Sequence, residues 1–205
     1  MTDPDGFVAK LSEVAEDIDA FLTRQLTDRR GLPQAELLDQ WQQGFDAMLA
    51  AFESLDPAAK LPWYGPPMSP ASFATARLME YWAHGQDVAD GLGVTRTPTA
   101  RLRHICHLGY RTRGFSFVNR GLEPPAGDVR LDLTAPDGTT WAYGESDTER
   151  VTGPAEDFCL LVTQRRHRDD LALVATGDAA DQWLSLAQCF AGPPGPGRAQ
   201  AAGQR

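Results

Sequence analysis

"SPASFATARLMEYWAHGQDVADGLG", residues 69–93, reads as one long helix bearing two unlike surfaces. Ser69 is a suitable N-cap, Pro70 suits the first turn, and Gly93 falls just past the end, so the punctuation predicts a helix over 70–92. At about 100° per residue, Arg77, Glu80, His84 and Asp87 fall within an arc of roughly 80°. Leu78, Tyr81, Trp82, Val88, Ala89 and Leu92 flank that arc. A polar stripe directly beside an apolar face suggests a polar site set into a helical bundle.

Glu80 and His84 stand at i and i+4, so their side chains project from neighbouring turns and can reach one cation. A carboxylate with an imidazole suits zinc or a similar divalent ion, although a catalytic zinc site usually takes three protein ligands. The same spacing also serves a plain Glu80–His84 hydrogen bond or an Arg77–Glu80 ion pair on a helix surface. A third reading joins Arg77, Glu80, His84 and Asp87 in a structural ion network.

Working outward, apolar residues over 5–27 (Phe7, Val8, Leu11, Val14, Ile18, Phe21, Leu22, Leu26) recur with helical spacing. Leu32-Pro33 opens a second helix, with Leu37, Leu38, Trp41, Phe45, Met48, Leu49, Phe52 and Leu55 on one side. A Pro-rich connector over 55–70 leads into the quoted stretch. A further helix is expected from about Thr99 to Arg120, stopped by Gly121.

Beyond "GLEPPAGD" the period changes from 3.6 to 2. Val129, Leu131 and Leu133 alternate with polar residues, and Asp137-Gly138 supplies a hairpin turn. "RVTGPAEDFCLLVTQRR" predicts a strand feeding a helix, with Gly153 and Pro154 as N-cap and first residue. "LALVATGDAADQWLSLAQCF" predicts another strand, an Asp178 cap and a closing helix. The expected domains are therefore a helical 1–121, a small α+β 122–192, and an extended, mobile tail 193–205.

The 205 residues carry a formal net charge of −9, which argues against a general nucleic-acid surface. The basic run "QRRHR", 164–168, is read as cations at a helix C-terminus. No apolar run reaches eighteen residues and no leader h-region is seen, so neither a membrane span nor export is expected. Cys106, Cys159 and Cys189 form no CxxC pair and are read as buried, reduced thiols of a cytoplasmic protein. His104 and His107 stand at i, i+3, but Arg101, Arg103, Arg111 and Arg113 crowd them and disfavour a dication there. These arginines could instead face an anionic substrate. No GxSxG, Walker loop, GxGxxG or HExxH motif occurs.

"LPWYGPPMSPASFATARLMEYWAHGQDVADGLG", "RLRHICHLGYRTRGF", "RVTGPAEDFCLLVTQRRHRDD" and "FAGPPGPGR" together resemble the mycothiol-dependent maleylpyruvate isomerase-like proteins of actinobacteria, and within them a metal-binding subfamily. The resemblance covers nearly the whole chain. It implies a DinB-like four-helix bundle, partial here, followed by a small α+β domain similar to sterol-carrier folds. It implies a divalent metal, zinc by expectation, held by an E-x-x-x-H pair that maps onto Glu80 and His84, with a further histidine from an early helix. The metal would activate mycothiol for addition to a small electrophilic or anionic substrate. Arg77 is a candidate to orient a substrate carboxylate, by its place on the arc.

All four histidines, 84, 104, 107 and 167, lie at or after the third helix, so the early histidine has no counterpart and Glu13, Asp17 or Asp39 are the upstream acids that could replace it. The resemblance implies a helical segment ahead of the part seen here. Without it, apolar helix faces would meet water, and the chain is expected to pair with a second copy or to be marginally stable. The alternative function is a catalytically incomplete metal-binding or interaction protein.

Overall fold

The computed structural model describes Gly6 and residues 17–63 and 67–201, with residues 18, 19 and 22 described by backbone only. The chain divides into two compact units, 1–74 and 75–205. This division falls inside a continuous helix, earlier than the 121/122 junction where the hydrophobic period changes.

In the first unit, α1 spans Ile18–Arg30 and α2 spans Gln34–Ser54. Asp17 caps α1 by accepting from the Ala20 N–H at 2.8 Å. Pro33 stands at the N-cap of α2, one position before the helix that Leu32-Pro33 was expected to open. The apolar positions Phe7, Val8, Leu11 and Val14 lie outside the described residues. No residue of α2 is buried, and Leu37, Leu38, Trp41 and Leu49 are exposed. The Trp41 and Phe45 rings stack at 5.7 Å.

The long helix α3 spans Pro70–Leu92, the limits its punctuation predicts. The Ser69 hydroxyl accepts from the Ser72 N–H at 3.2 Å, and Gly93 takes the left-handed φ of 65° that ends the helix. Its buried residues, Ala76, Met79, Ala83, Gln86 and Ala89, recur at three and four.

The helix expected over 99–120 is two helices, α4 (Leu102–Arg111) and α5 (Arg113–Val118). The chain breaks at Thr112, whose hydroxyl bonds back to the carbonyls of Leu108 and Gly109 at 2.9 and 3.1 Å. Such back-bonding bends helices without any glycine or proline to announce it. Gly121, at φ 68°, closes α5 as its sequence position suggests.

A four-stranded mixed sheet follows: β1 (Arg130–Thr134), β2 (Thr140–Tyr143), β3 (Arg150–Pro154) and β4 (Val174–Thr176), in the order β2-β1-β3-β4. β1 and β2 form the antiparallel hairpin, with Leu131 opposite Tyr143 and Thr134 opposite Thr140. β1 runs parallel to β3, and β4 is antiparallel to β3. Alternation sends Leu131, Leu133, Trp141 and Val151 to the core, while Asp132 on the other face meets Arg130 at 2.9 Å and Arg150 at 3.5 Å.

β3 feeds α6 (Ala155–Val162), whose N-cap is Pro154 in place of the expected Gly153. Gly153 instead adopts φ 143° because β4's approach leaves no room: a Cβ there would lie 2.5 Å from the Ala172 carbonyl oxygen. α7 spans Asp178–Leu184. Its expected Asp178 cap is replaced from a distance. Gly177 is the N-cap, and the Glu149 carboxylate accepts from the Ala180 N–H at 2.8 Å.

One core joins Met79 and Ala83 of α3, Leu102, Ile105 and Cys106 of α4, Phe117 of α5, the inner face of the sheet, Phe158 of α6 and Trp183 of α7. Residues 193–201 have no regular structure, yet they are hydrogen-bonded to this unit: Arg120 donates to the Gly195 carbonyl and the Ala201 N–H to Asp170. Among the described residues no helix is long and apolar enough to cross a membrane.

Candidate functional site

α3 holds its polar edge in a row because Ala76, Met79, Ala83 and Ala89 fix another face inward, although Val88 and Leu92 are exposed. Glu80 Oε2 lies 3.3 Å from His84 Nε2, and Asp87 Oδ2 lies 3.4 Å from His84 Nδ1. The imidazole therefore stands between two carboxylates on one helix. Its side chain is 69% exposed, against 31% for Glu80.

A tetrahedral ion with bonds of about 2.0–2.1 Å holds its ligand atoms about 3.3–3.4 Å apart. The Glu80–His84 separation is compatible with that edge and equally with a direct ion pair between the two side chains. Asp87 Oδ2 stands beside the other ring nitrogen, the place of a carboxylate behind a ligating histidine. Among the described residues, however, no group of three or more His, Cys, Asp or Glu side chains is arranged to hold a metal. Glu13 lies outside the described residues. Asp17 is engaged as the cap of α1, and Asp39 is on the exposed surface of α2.

The arginines that complete this edge come from elsewhere. Arg165 donates from Nη2 to Asp87 Oδ2 at 2.8 Å and from Nε to Oδ1 at 3.2 Å, with Nη2 also 3.5 Å from His84 Nδ1. Arg166 reaches both oxygens of Asp90 at 2.7 Å. Arg198 meets Asp87 at 3.2 Å and Asp90 at 3.9 Å. The basic run thus does more than face a helix terminus. Gln164, at φ 58°, turns the chain so that the two arginines lie against α3. The only sequence trace of this is charge complementarity between Arg165-Arg166 and the i, i+3 acids Asp87 and Asp90.

Electrostatics follow from the pairing. The hydrogen bond from Arg166 holds the Asp90 carboxyl down to about 2, with Gln86 donating to it as well at 2.9 Å. Arg96 braces the same segment, donating to the Trp82 carbonyl at 2.8 Å with its guanidinium 5.6 Å from the Trp82 ring.

The other sequence candidates separate from this edge. Arg77 lies with its guanidinium 5.2 Å from the ring of Tyr81, a cation–π contact along α3. His104 and His107 are exposed on α4, and His107 lies 6.2 Å from the Tyr143 ring. All three cysteines are free and buried, and Cys106 Sγ is 3.5 Å from Cys159 Sγ. Burial, and after it the Glu80 carboxylate, push the Cys189 thiol up.

Residues 1–89 match the model of the mycothiol maleylpyruvate isomerase N-terminal domain, a span that includes Glu80 and His84. Two proteins of Mycobacterium tuberculosis, uncharacterized protein MT0041 of strain CDC 1551 / Oshkosh and uncharacterized protein Rv0036c of strain ATCC 25618 / H37Rv, are each 48% identical over 199 residues, covering 97% of this chain and 77% of the relative. No solved structure matches significantly. The chain belongs to the family of proteins related to the mycothiol maleylpyruvate isomerases, whose N-terminal domain it carries.

Proposed function

We propose that the protein is a metal-assisted, thiol-dependent isomerase or thiol transferase. Glu80 and His84 hold a divalent ion, zinc by its ligand chemistry, and mycothiol is the thiol. The substrate is a small electrophilic or anionic molecule. The observation that carries this reading is the 3.3 Å approach of Glu80 Oε2 to His84 Nε2 inside the segment that matches the family domain. When bound, the ion supplies Lewis acidity that favours the thiolate, the nucleophilic form of a thiol.

The chain's own residues divide the remaining work. Asp87, with Oδ2 3.4 Å from His84 Nδ1, is assigned to orient the ring. Arg165, with a side chain only 16% exposed, offsets the Asp87 charge and keeps that carboxylate in place. Arg77, which lies against the Tyr81 ring apart from the Glu80–His84 row, is assigned to a substrate carboxylate, which a guanidinium binds bidentately. The reading takes the helical part, 1–121, as a partial DinB-like bundle, 122–192 as a sterol-carrier-like domain, and 193–205 as a tail. It places the protein in the cytoplasm, with neither nucleic acid nor membrane as partner and with a second copy of the chain as its partner in a homodimer.

A second reading has its own support. The Glu80–His84–Asp87–Arg165 row is a continuous chain of donors and acceptors, so it also serves as a structural ion network in a non-catalytic family member. Metal analysis after zinc equilibration decides between them. One ion per chain, lost in both His84→Ala and Glu80→Ala, is expected for the first reading. Zinc stoichiometry equal in wild type and His84→Ala removes α3 from any metal site.

A further inference from the structure

A cavity of about 450 Å³ opens between the turn after α6, the end of α7 and residues 195–198. Neither Glu80 nor His84 lines it. Four guanidiniums do: Arg120, Arg166, Arg168 and Arg198, with Asp169 the one carboxylate among the lining residues. In a chain of net charge −9 this is a marked local excess of cations. The rest of the wall is mixed: Leu161, Leu184, Leu186 and Ala187 supply apolar surface, and Gln164, His167 and Ser185 polar groups. A cleft of this size with convergent charges beside an apolar patch can hold a small molecule.

The four cations are not equivalent. Arg166 is spoken for by Asp90, Arg168 by Asp181, and Arg198 by Asp87. Arg120 has only neutral acceptors: the carbonyls of Ser116 at 3.2 Å and Gly195 at 3.4 Å, and Gln188 Oε1 at 3.5 Å. Among the described residues no carboxylate lies within ion-pair distance of it. Burial lowers its pKa, with no acid nearby to counter that effect. A guanidinium stays charged in proteins, so Arg120, held by neutral acceptors alone, can take a carboxylate from a ligand.

We propose that this cavity binds a small carboxylate with an apolar body, its carboxylate on Arg120 and its body against Leu161, Leu184 and Leu186. The planar fork of Arg120 matches a carboxylate, and the leucine patch offers contact to an apolar body that a bare inorganic anion lacks. Arg198 and Gly195 stand on the same stretch of chain, so residues 195–198 form one side of the site and not merely a trailing end.

Calorimetric titration of the full chain with benzoate, benzyl alcohol and inorganic phosphate tests this. Benzoate is expected to bind, more weakly as chloride rises, with benzyl alcohol and phosphate each at least about tenfold weaker. Arg120→Gln is expected to lose about tenfold or more in benzoate affinity, and Arg120→Lys less, with cooperative melting in both showing that the fold survives. Benzoate binding that persists in His84→Ala keeps the site independent of any metal on α3. The proposal falls if benzoate and benzyl alcohol bind alike, if phosphate binds as tightly as benzoate, if folded Arg120→Gln binds as wild type does, or if His84→Ala abolishes binding while Arg120→Gln does not.

Discussion

Arg166 grips Asp90 with both terminal nitrogens, each 2.7 Å from a carboxylate oxygen, and the Asp90 side chain is 22% exposed. This fork joins the turn after α6 to the last turns of α3. Because the pairing depresses the carboxyl from 3.8 to about 2, its stabilisation is full above pH 4 and is lost as pH falls through about 2. The shift corresponds to about 2 kcal/mol. Asp90→Asn is expected to lower stability by about that amount at pH 7 and to flatten the acid limb of the stability curve between pH 4 and pH 2. Urea denaturation at a series of pH values measures both.

Asp87 offers a sharper test of the metal reading than removal of a ligand. If His84 ligates through Nε2, Asp87→Asn leaves both ligands in place but removes the carboxylate behind the ring. Zinc affinity is then expected to fall about 10- to 100-fold. Competition with a chromophoric chelator reads the change. Equal affinities in wild type and variant would mean that Asp87 serves Arg165 and Arg198 and not a metal ligand.

Gly109 lets α4 lie close to α6. A Cβ at this position would stand 2.9 Å from Phe158 Cε1 and 3.1 Å from both Val162 methyl groups, all in the core. Gly109→Ala is expected to destabilise the chain by about 1–3 kcal/mol through overpacking, despite alanine's better helix propensity. Thermal unfolding monitored by circular dichroism shows the sign: a raised midpoint would mean the two helices separate freely.

The three cysteines are expected to be silent in the folded protein. All are buried, and burial pushes the Cys159 and Cys189 thiols up, away from the reactive thiolate. Iodoacetamide at pH 8 should label none of them within the time in which it labels all three in guanidinium. Rapid labelling of native Cys106 or Cys159 would reveal opening between α4 and α6.

Local signals gave the long helix, the hairpin and the Glu80–His84 approach, because each depends on neighbours in sequence: Ser69 and Gly93 as punctuation, Asp137-Gly138 as a turn, and i, i+4 geometry. What escaped depends on distant partners. Nothing near Asp178 reveals that Glu149 supplies the cap of α7, and nothing near Thr112 marks the break between α4 and α5. The arginines that dress the polar edge of α3 lie 78 residues beyond Asp87 in one case and 111 in the other, so only the fold brings them there. The hydrophobic period located the change from helices to sheet at 121/122. It could not show that α3, although wholly helical, lends Met79 and Ala83 to the core that the sheet builds.

Arg165 and Arg166 are adjacent in sequence, whereas Asp87 and Asp90 are separated by nearly one helical turn. Two teeth on a tight turn therefore engage two notches on a rod, and such a key admits one setting. Rotation of α3 about its axis by one residue, or a slide of one turn, would break both forks at once. The azimuth at which Glu80 and His84 face outward is thus set by the buried face of α3 together with a turn that grips Asp87 and Asp90. Inserting a single glycine between Arg165 and Arg166 would strip that angular reference while leaving every side chain on the polar edge of α3 intact.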